Sequence, residues 1–191
     1  MSDRVFHVKP ENVLLLPGWQ NSGPGHWQSL WETRHGYRRV DQHDWMTPKR
    51  GDWMARLEEV VLGRDGPAVL VAHSLGCHLA AAWAAHSQNA HRVKGALLVA
   101  PPDTERDDVR GLLPSWAPIP LKPLPFPSAL VASTDDPYCG FGRARGLAAA
   151  WGSRFVDLGA AGHINAETGL GDWSAGRTLL LDMLATTSHG T

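Results

Sequence analysis

A chain of 191 residues fits one domain, 1–191, and can bury a core that stands without a disulfide or a structural metal. Lys and Arg (18) nearly balance Asp and Glu (19), and the charges are scattered, so neither nucleic acid nor an anionic membrane is offered a charged face. No apolar run approaches the ~20 residues of a membrane span. Residues 1–9 are short and polar rather than a signal sequence, and Cys77 and Cys139 lack the spacing of a disulfide framework or zinc knuckle; a cytoplasmic protein with two free thiols is the expectation.

In chain order, residues 12–18 are an apolar run stopped by Pro17-Gly18, the pattern of a strand buried on both faces. A Gly- and Asn-rich loop follows. Residues 26–35 then place Trp27, Leu30, Trp31 and Arg34 at helical spacing. Residues 37–40 make a second, more exposed strand. Residues 52–62 repeat Trp53, Met54, Leu57, Val60 and Val61 as a helix that Gly63 ends. The run 69–72 is a buried strand, and 75–85, free of Pro and rich in small residues, is the helix after it. Residues 93–100 give a fourth strand, closed by Pro101-Pro102. The proline-dense stretch 103–127 has no clear period and is expected to be a lid or functional loop. A fifth strand at 128–133, a helix at 141–151, a sixth strand at 154–158 and a helix at 173–184 complete the chain. Six strands alternating with helices predict an α/β fold, a mostly parallel sheet covered on both faces, with ligands at the carboxyl ends of its strands.

One junction carries chemistry. Val69-Leu-Val-Ala-His-Ser-Leu-Gly76 reads as strand, sharp turn and helix, with small residues two before and two after Ser74. That is the nucleophile elbow of α/β-hydrolases, which exposes a serine hydroxyl above the sheet edge; Ala72 is a mild departure from the usual glycine. A serine nucleophile needs a base and a group to orient it, and in this fold they follow in the order acid, then His, at later strand ends. The fifth strand runs into Thr134-Asp-Asp-Pro137 and the sixth into Gly159-Ala-Ala-Gly-His163. Asp136 is favoured as the acid because Asp-Pro turns the chain as it leaves the strand, with Asp135 the alternative, and His163 is the base. The amide of Leu75 is one expected oxyanion donor; the other comes from the loop after the first strand, Trp19 preferred and Gln20 the alternative. Singly, each residue has an ordinary reading as a strand-end serine, a turn aspartate or one of ten histidines, but the three ordinary readings do not explain their order and placement together.

Other features carry less. His73 and His78 do not make a metal site, and Cys77 lies inside a packed helix as an inert thiol. Most tryptophans read as core anchors, while Trp19 and Trp116, in loops near the expected site, are candidates to line an apolar acyl pocket.

Leu14-Leu-Leu-Pro-Gly-Trp19, Gly25-His-Trp27, Ala72-His-Ser-Leu-Gly76, Ala132-Ser-Thr-Asp-Asp-Pro137 and Gly162-His-Ile-Asn-Ala166 together resemble the small serine hydrolase family of YdeN-like and retinoblastoma-binding-protein-type α/β-hydrolases. The resemblance implies a capless, minimal α/β-hydrolase with Ser74, Asp136 and His163 as its triad. It does not imply retinoblastoma binding, since the sequence contains no L-x-C-x-E. The expected activity is hydrolysis of a small acyl ester, thioester or amide without cofactor or metal. A protein-binding module with incidental activity and an acyl transferase are the alternatives, and the sequence sets no oligomeric state.

Overall fold

The computed structural model describes residues 8–187, so residues 1–7 of the polar N-terminal stretch lie outside the described residues. The elements are β1 (Val13–Leu16), α1 (Trp27–His35), β2 (Arg38–Arg39), α2 (Arg50–Leu62), β3 (Ala68–His73), α3 (Leu75–His86), β4 (Val93–Val99), α4 (Asp107–Arg110), β5 (Ser128–Ala132), α5 (Phe141–Trp151), β6 (Arg154–Asp157) and α6 (Ser174–Thr187). The strands form one sheet in the order β2-β1-β3-β4-β5-β6, and every pairing is parallel rather than mostly so. Every carboxyl end therefore opens on one edge. The order reverses between β1 and β3, which is the switch point where such sheets bind ligands.

Alternation along each strand feeds two cores. Leu14, Leu16, Leu70, Ala72, Leu98 and Leu130 face Trp53, Leu57, Trp83 and Trp151. Val13, Leu15, Val69, Val71, Leu97 and Val131 face Trp27, Trp31, Trp173 and Leu180 on the other side. The sheet is consequently covered on both faces, which is why the central strands read as unbroken apolar runs. Among the described residues no helix is long and apolar enough to cross a membrane.

Three expectations change in detail. Gly63 does follow α2, but with φ −76° it has none of the left-handed geometry for which glycine is usually chosen; that conformation falls on Gly66, φ +112°. The stretch 103–127 is more ordered than its prolines suggest, holding α4 and a 3-10 turn at Pro114–Trp116. Its fastenings are distant in sequence: Glu105 accepts from the Ile119 amide at 2.9 Å and pairs with Arg143, and Thr104 Oγ1 donates to the Trp116 carbonyl at 2.9 Å. Trp116 itself is buried, its Nε1 donating to Pro48 O at 2.9 Å, and it stays outside the cavity above Ser74.

Candidate active site

Ser74 joins β3 to α3 with φ +54° and ψ −124°, a conformation rare for a residue with a Cβ. The turn survives because its surroundings leave no alternative. A Cβ added to Gly76 would lie 2.1 Å from the Leu16 carbonyl oxygen, so α3 presses on the neighbouring strand β1, not only on its own strand. A Cβ on Gly18 would come within 2.8 Å of Ser74 Cβ and 3.2 Å of Leu75 N. The loop after β1 thus lies directly against the elbow. Gln28, buried on α1, completes the clamp: its Nε2 donates to Leu16 O at 3.2 Å and Val71 O at 3.0 Å, across the ends of β1 and β3.

The three residues expected from the sequence meet here. His163 Nε2 is 2.9 Å from Ser74 Oγ, and both carboxylate oxygens of Asp136 are 3.0 Å from His163 Nδ1. An aspartate at Nδ1 places the hydrogen there, which leaves Nε2 free to accept the serine proton. Asp136 is itself oriented by the Tyr138 amide at 2.9 Å. Asp135 points elsewhere: its Oδ1 accepts from Ser133 Oγ at 2.7 Å and from the Gly162 amide at 2.8 Å. Those bonds hold its carboxyl below the usual range and tie down the loop that carries His163.

The candidate backbone donors differ in their bonding. The Gln20 amide is occupied by Trp45 O at 3.0 Å, whereas among the described residues no carbonyl takes the Trp19 amide, which stands next to Gly18 on the elbow. Leu75 is the first residue of α3, where amides have no partner within the helix. Above them opens a cavity of about 450 Å³. Gln20, Asn21, Asn165 and Glu167 line one part, and Trp19, Pro102, Val109, Leu112, Leu113 and Tyr138 give it an apolar part. A groove of about 600 Å³ beside α2, lined by Asp41, Asp52, Arg56 and Glu59 among others, contains none of the residues of the elbow.

Two thiols and two histidines fall where their chemistry is muted. Cys77 is buried with its Sγ 3.3 Å from Val99 O and its ionisation pushed far up by burial; Cys139 is pushed up to about 12 for the same reason. His73 and His78 are both buried. Burial lowers His78 to about 4 despite its 2.6 Å bond to Pro102 O. Two further residues that shape the site are missed by sequence reasoning. His26 caps α1, its Nδ1 accepting from the Gln28 amide at 3.1 Å, and it lines the cavity, lowered to about 4 by burial, then by Arg39 and His163. Gln28 is the other, and its signal is a polar residue beside Trp27 in the buried stripe of a helix.

A serine hydrolase family profile matches residues 13–182. Comparison with curated proteins finds no match. Among solved structures, a YdeN-like hydrolase from Pectobacterium atrosepticum is 32% identical, with a TM-score of 0.81 and 92% of this chain and 91% of that chain covered. The ydeN gene product of B. subtilis is 20% identical with a TM-score of 0.69, covering 92% and 97%. A thermophilic esterase from Thermogutta terrifontis, 16% identical with a TM-score of 0.66 over 92% and 89%, shares the fold. The chain belongs to the serine hydrolase family and has the α/β-hydrolase fold, in a small YdeN-like form.

Proposed function

We propose that the protein hydrolyses small esters, thioesters or amides through an acyl-enzyme on Ser74. The observation that carries this reading is the unbroken line from Ser74 Oγ through His163 to Asp136, at 2.9 and 3.0 Å, on a strained elbow beside a cavity. Ser74 Oγ attacks the acyl carbon as its proton passes to His163 Nε2, and the carbonyl oxygen becomes an oxyanion. The amides of Leu75 and Trp19 receive it; donors of this kind are worth roughly 3 to 4 kcal/mol each in a protease where one was removed. Asp136 keeps the imidazole in its tautomer and stabilises the imidazolium. Collapse breaks the bond to the leaving group, which takes the proton from His163 Nε2. Water then repeats the sequence: His163 removes its proton, the acyl–Oγ bond breaks, and Ser74 regains its hydrogen as the acid departs.

The acyl group is short. A cavity of about 450 Å³, lined by the exposed Leu112 and Tyr138 and by Val109 of α4, offers apolar contact in a small space. Labelling by a fluorophosphonate probe followed by an ester chain-length series tests both parts. Wild type is expected to label and Ser74→Ala not, with best turnover on acetyl to butyryl esters. An unlabelled wild type would favour a protein-binding role for the fold, and best turnover on palmitoyl esters would overturn the substrate class.

A further inference from the structure

His73 ends β3, one residue before Ser74, and its side chain is buried. Its Nε2 lies 2.9 Å from the backbone carbonyl oxygen of His163. A carbonyl only accepts, so the hydrogen of His73 sits on Nε2 and Nδ1 is bare. His163 is therefore gripped twice by adjacent residues of β3 and its turn: the side chain by Ser74 and the main chain by His73. The next carbonyl, of Ile164, accepts from Trp27 Nε1 at 2.9 Å, and Ile164 is fully buried with φ +49°. The loop that carries His163 thus takes two consecutive bonds from rings behind it.

We propose that His73 is a positioning residue for this reaction, its Nε2–H holding the His163 carbonyl so that the imidazole stays at the height from which it can take the Ser74 proton. The inference rests on reading Ser74 and His163 as nucleophile and base. The alternative is a buried ring that merely fills space, and the geometry argues against it, because an apolar side chain would fill the place without meeting the carbonyl. Charge matters as well. The rings of His73 and His163 have centroids 5.0 Å apart, and His26 packs on His73 at 4.6 Å. A cation at 73 would oppose the imidazolium that acylation forms on His163; burial and these two neighbours keep His73 well below the ordinary imidazole range, and so neutral. What position 73 requires is an uncharged donor of a set reach.

Reach can be varied while the chemistry is kept. Gln places an amide nitrogen near the Nε2 position, Asn stops short of it, and Leu has no donor. In the full chain, the fluorophosphonate labelling rate, kcat and KM on an acetyl ester, and the thermal midpoint are measured for wild type, His73→Gln, His73→Asn and His73→Leu. His73→Gln is expected to hold labelling and kcat within about threefold of wild type, and His73→Asn and His73→Leu to lose about 10- to 100-fold in both at little-changed KM. Should His73→Leu not fold, the pair Gln and Asn still decides. Asn equal to wild type, or Gln falling as far as Asn, overturns the positioning role while leaving the hydrolase reading standing. A wild type that does not label at Ser74 defeats both.

Discussion

Asp135 and Asp136 are neighbours with different partners, and the difference lies in what each carboxylate faces. Asp136 has both oxygens at His163 Nδ1, so an amide in its place turns an N–H toward Nδ1–H or forces the hydrogen to Nε2, where it blocks the attack. Asp136→Asn is expected to lower kcat by about 10³- to 10⁴-fold, the loss a wrong tautomer causes in a protease triad. Asp135 accepts from Ser133 Oγ and the Gly162 amide through Oδ1 alone, and an asparagine keeps that oxygen. Asp135→Asn should therefore stay within about tenfold of wild type, since all of its loop bonds have a surviving acceptor. Steady-state kinetics on an acetyl ester decide, and equal damage from the two variants would contradict the assignment. The sequence could place an acid at this strand end but could separate the two only by the turn-forming habit of Asp-Pro, because the deciding contact, Gly162, comes 27 residues later. Gln28 was half legible for a related reason: a polar residue in the apolar stripe of a helix can be seen in the sequence, but the strand carbonyls it serves, of Leu16 and Val71, cannot. His26 caps α1, and only the fold brings it to the cavity.

Packing of α3 on β1 sets the elbow, and glycine is what permits it. Alanine at 76 gains about 1 kcal/mol of helix propensity over glycine. Its Cβ would sit 2.1 Å from the Leu16 carbonyl oxygen, and overpacking of that kind costs about 1–3 kcal/mol, occasionally more. Backbone on both sides of this contact cannot swing aside as a side chain can, so the clash wins: Gly76→Ala should lower the thermal midpoint and the labelling of Ser74 together. Gly146, exposed in α5 with nothing within 4 Å of where a Cβ would stand, provides the opposite case. Gly146→Ala is expected to stabilise by about 0.5–1 kcal/mol. Melts of the two variants beside wild type test the pair, and a stabilised Gly76→Ala would refute the account of the elbow. The strands were legible in sequence because burial on both faces leaves continuous apolar runs. The order within 103–127 was not, since its bonds run from Glu105 to Ile119 and Arg143 and from Trp116 to Pro48, none of them periodic.

For the molecule as a whole, buried neutral histidines make stability depend on pH before any carboxylate does. His26 and His78 each fall from 6.5 to about 4, chiefly through burial, and His73 falls well below 6.5. With the folded value depressed, the unfolded chain binds more protons as pH drops, so these groups' contribution is complete above 6.5 and is lost as pH falls toward the folded value. At about pH 5, a histidine shifted from 6.5 to about 4 has given up about 2 kcal/mol, so His26 and His78 together account for about 4 kcal/mol. Carboxylates held low, such as Glu58 and Glu105, lose their share only below about pH 4.5. Urea unfolding at about pH 7.5 and about pH 5 should thus show a fall of several kcal/mol, of which His78→Gln removes about 2 kcal/mol. Glutamine is the informative replacement because its amide can still donate to Pro102 O, keeping the bond that His78 makes at 2.6 Å while deleting the titration. Stability that is flat over this range, or a His78→Gln chain with the wild-type dependence, would mean that these rings reach water more readily than their burial implies.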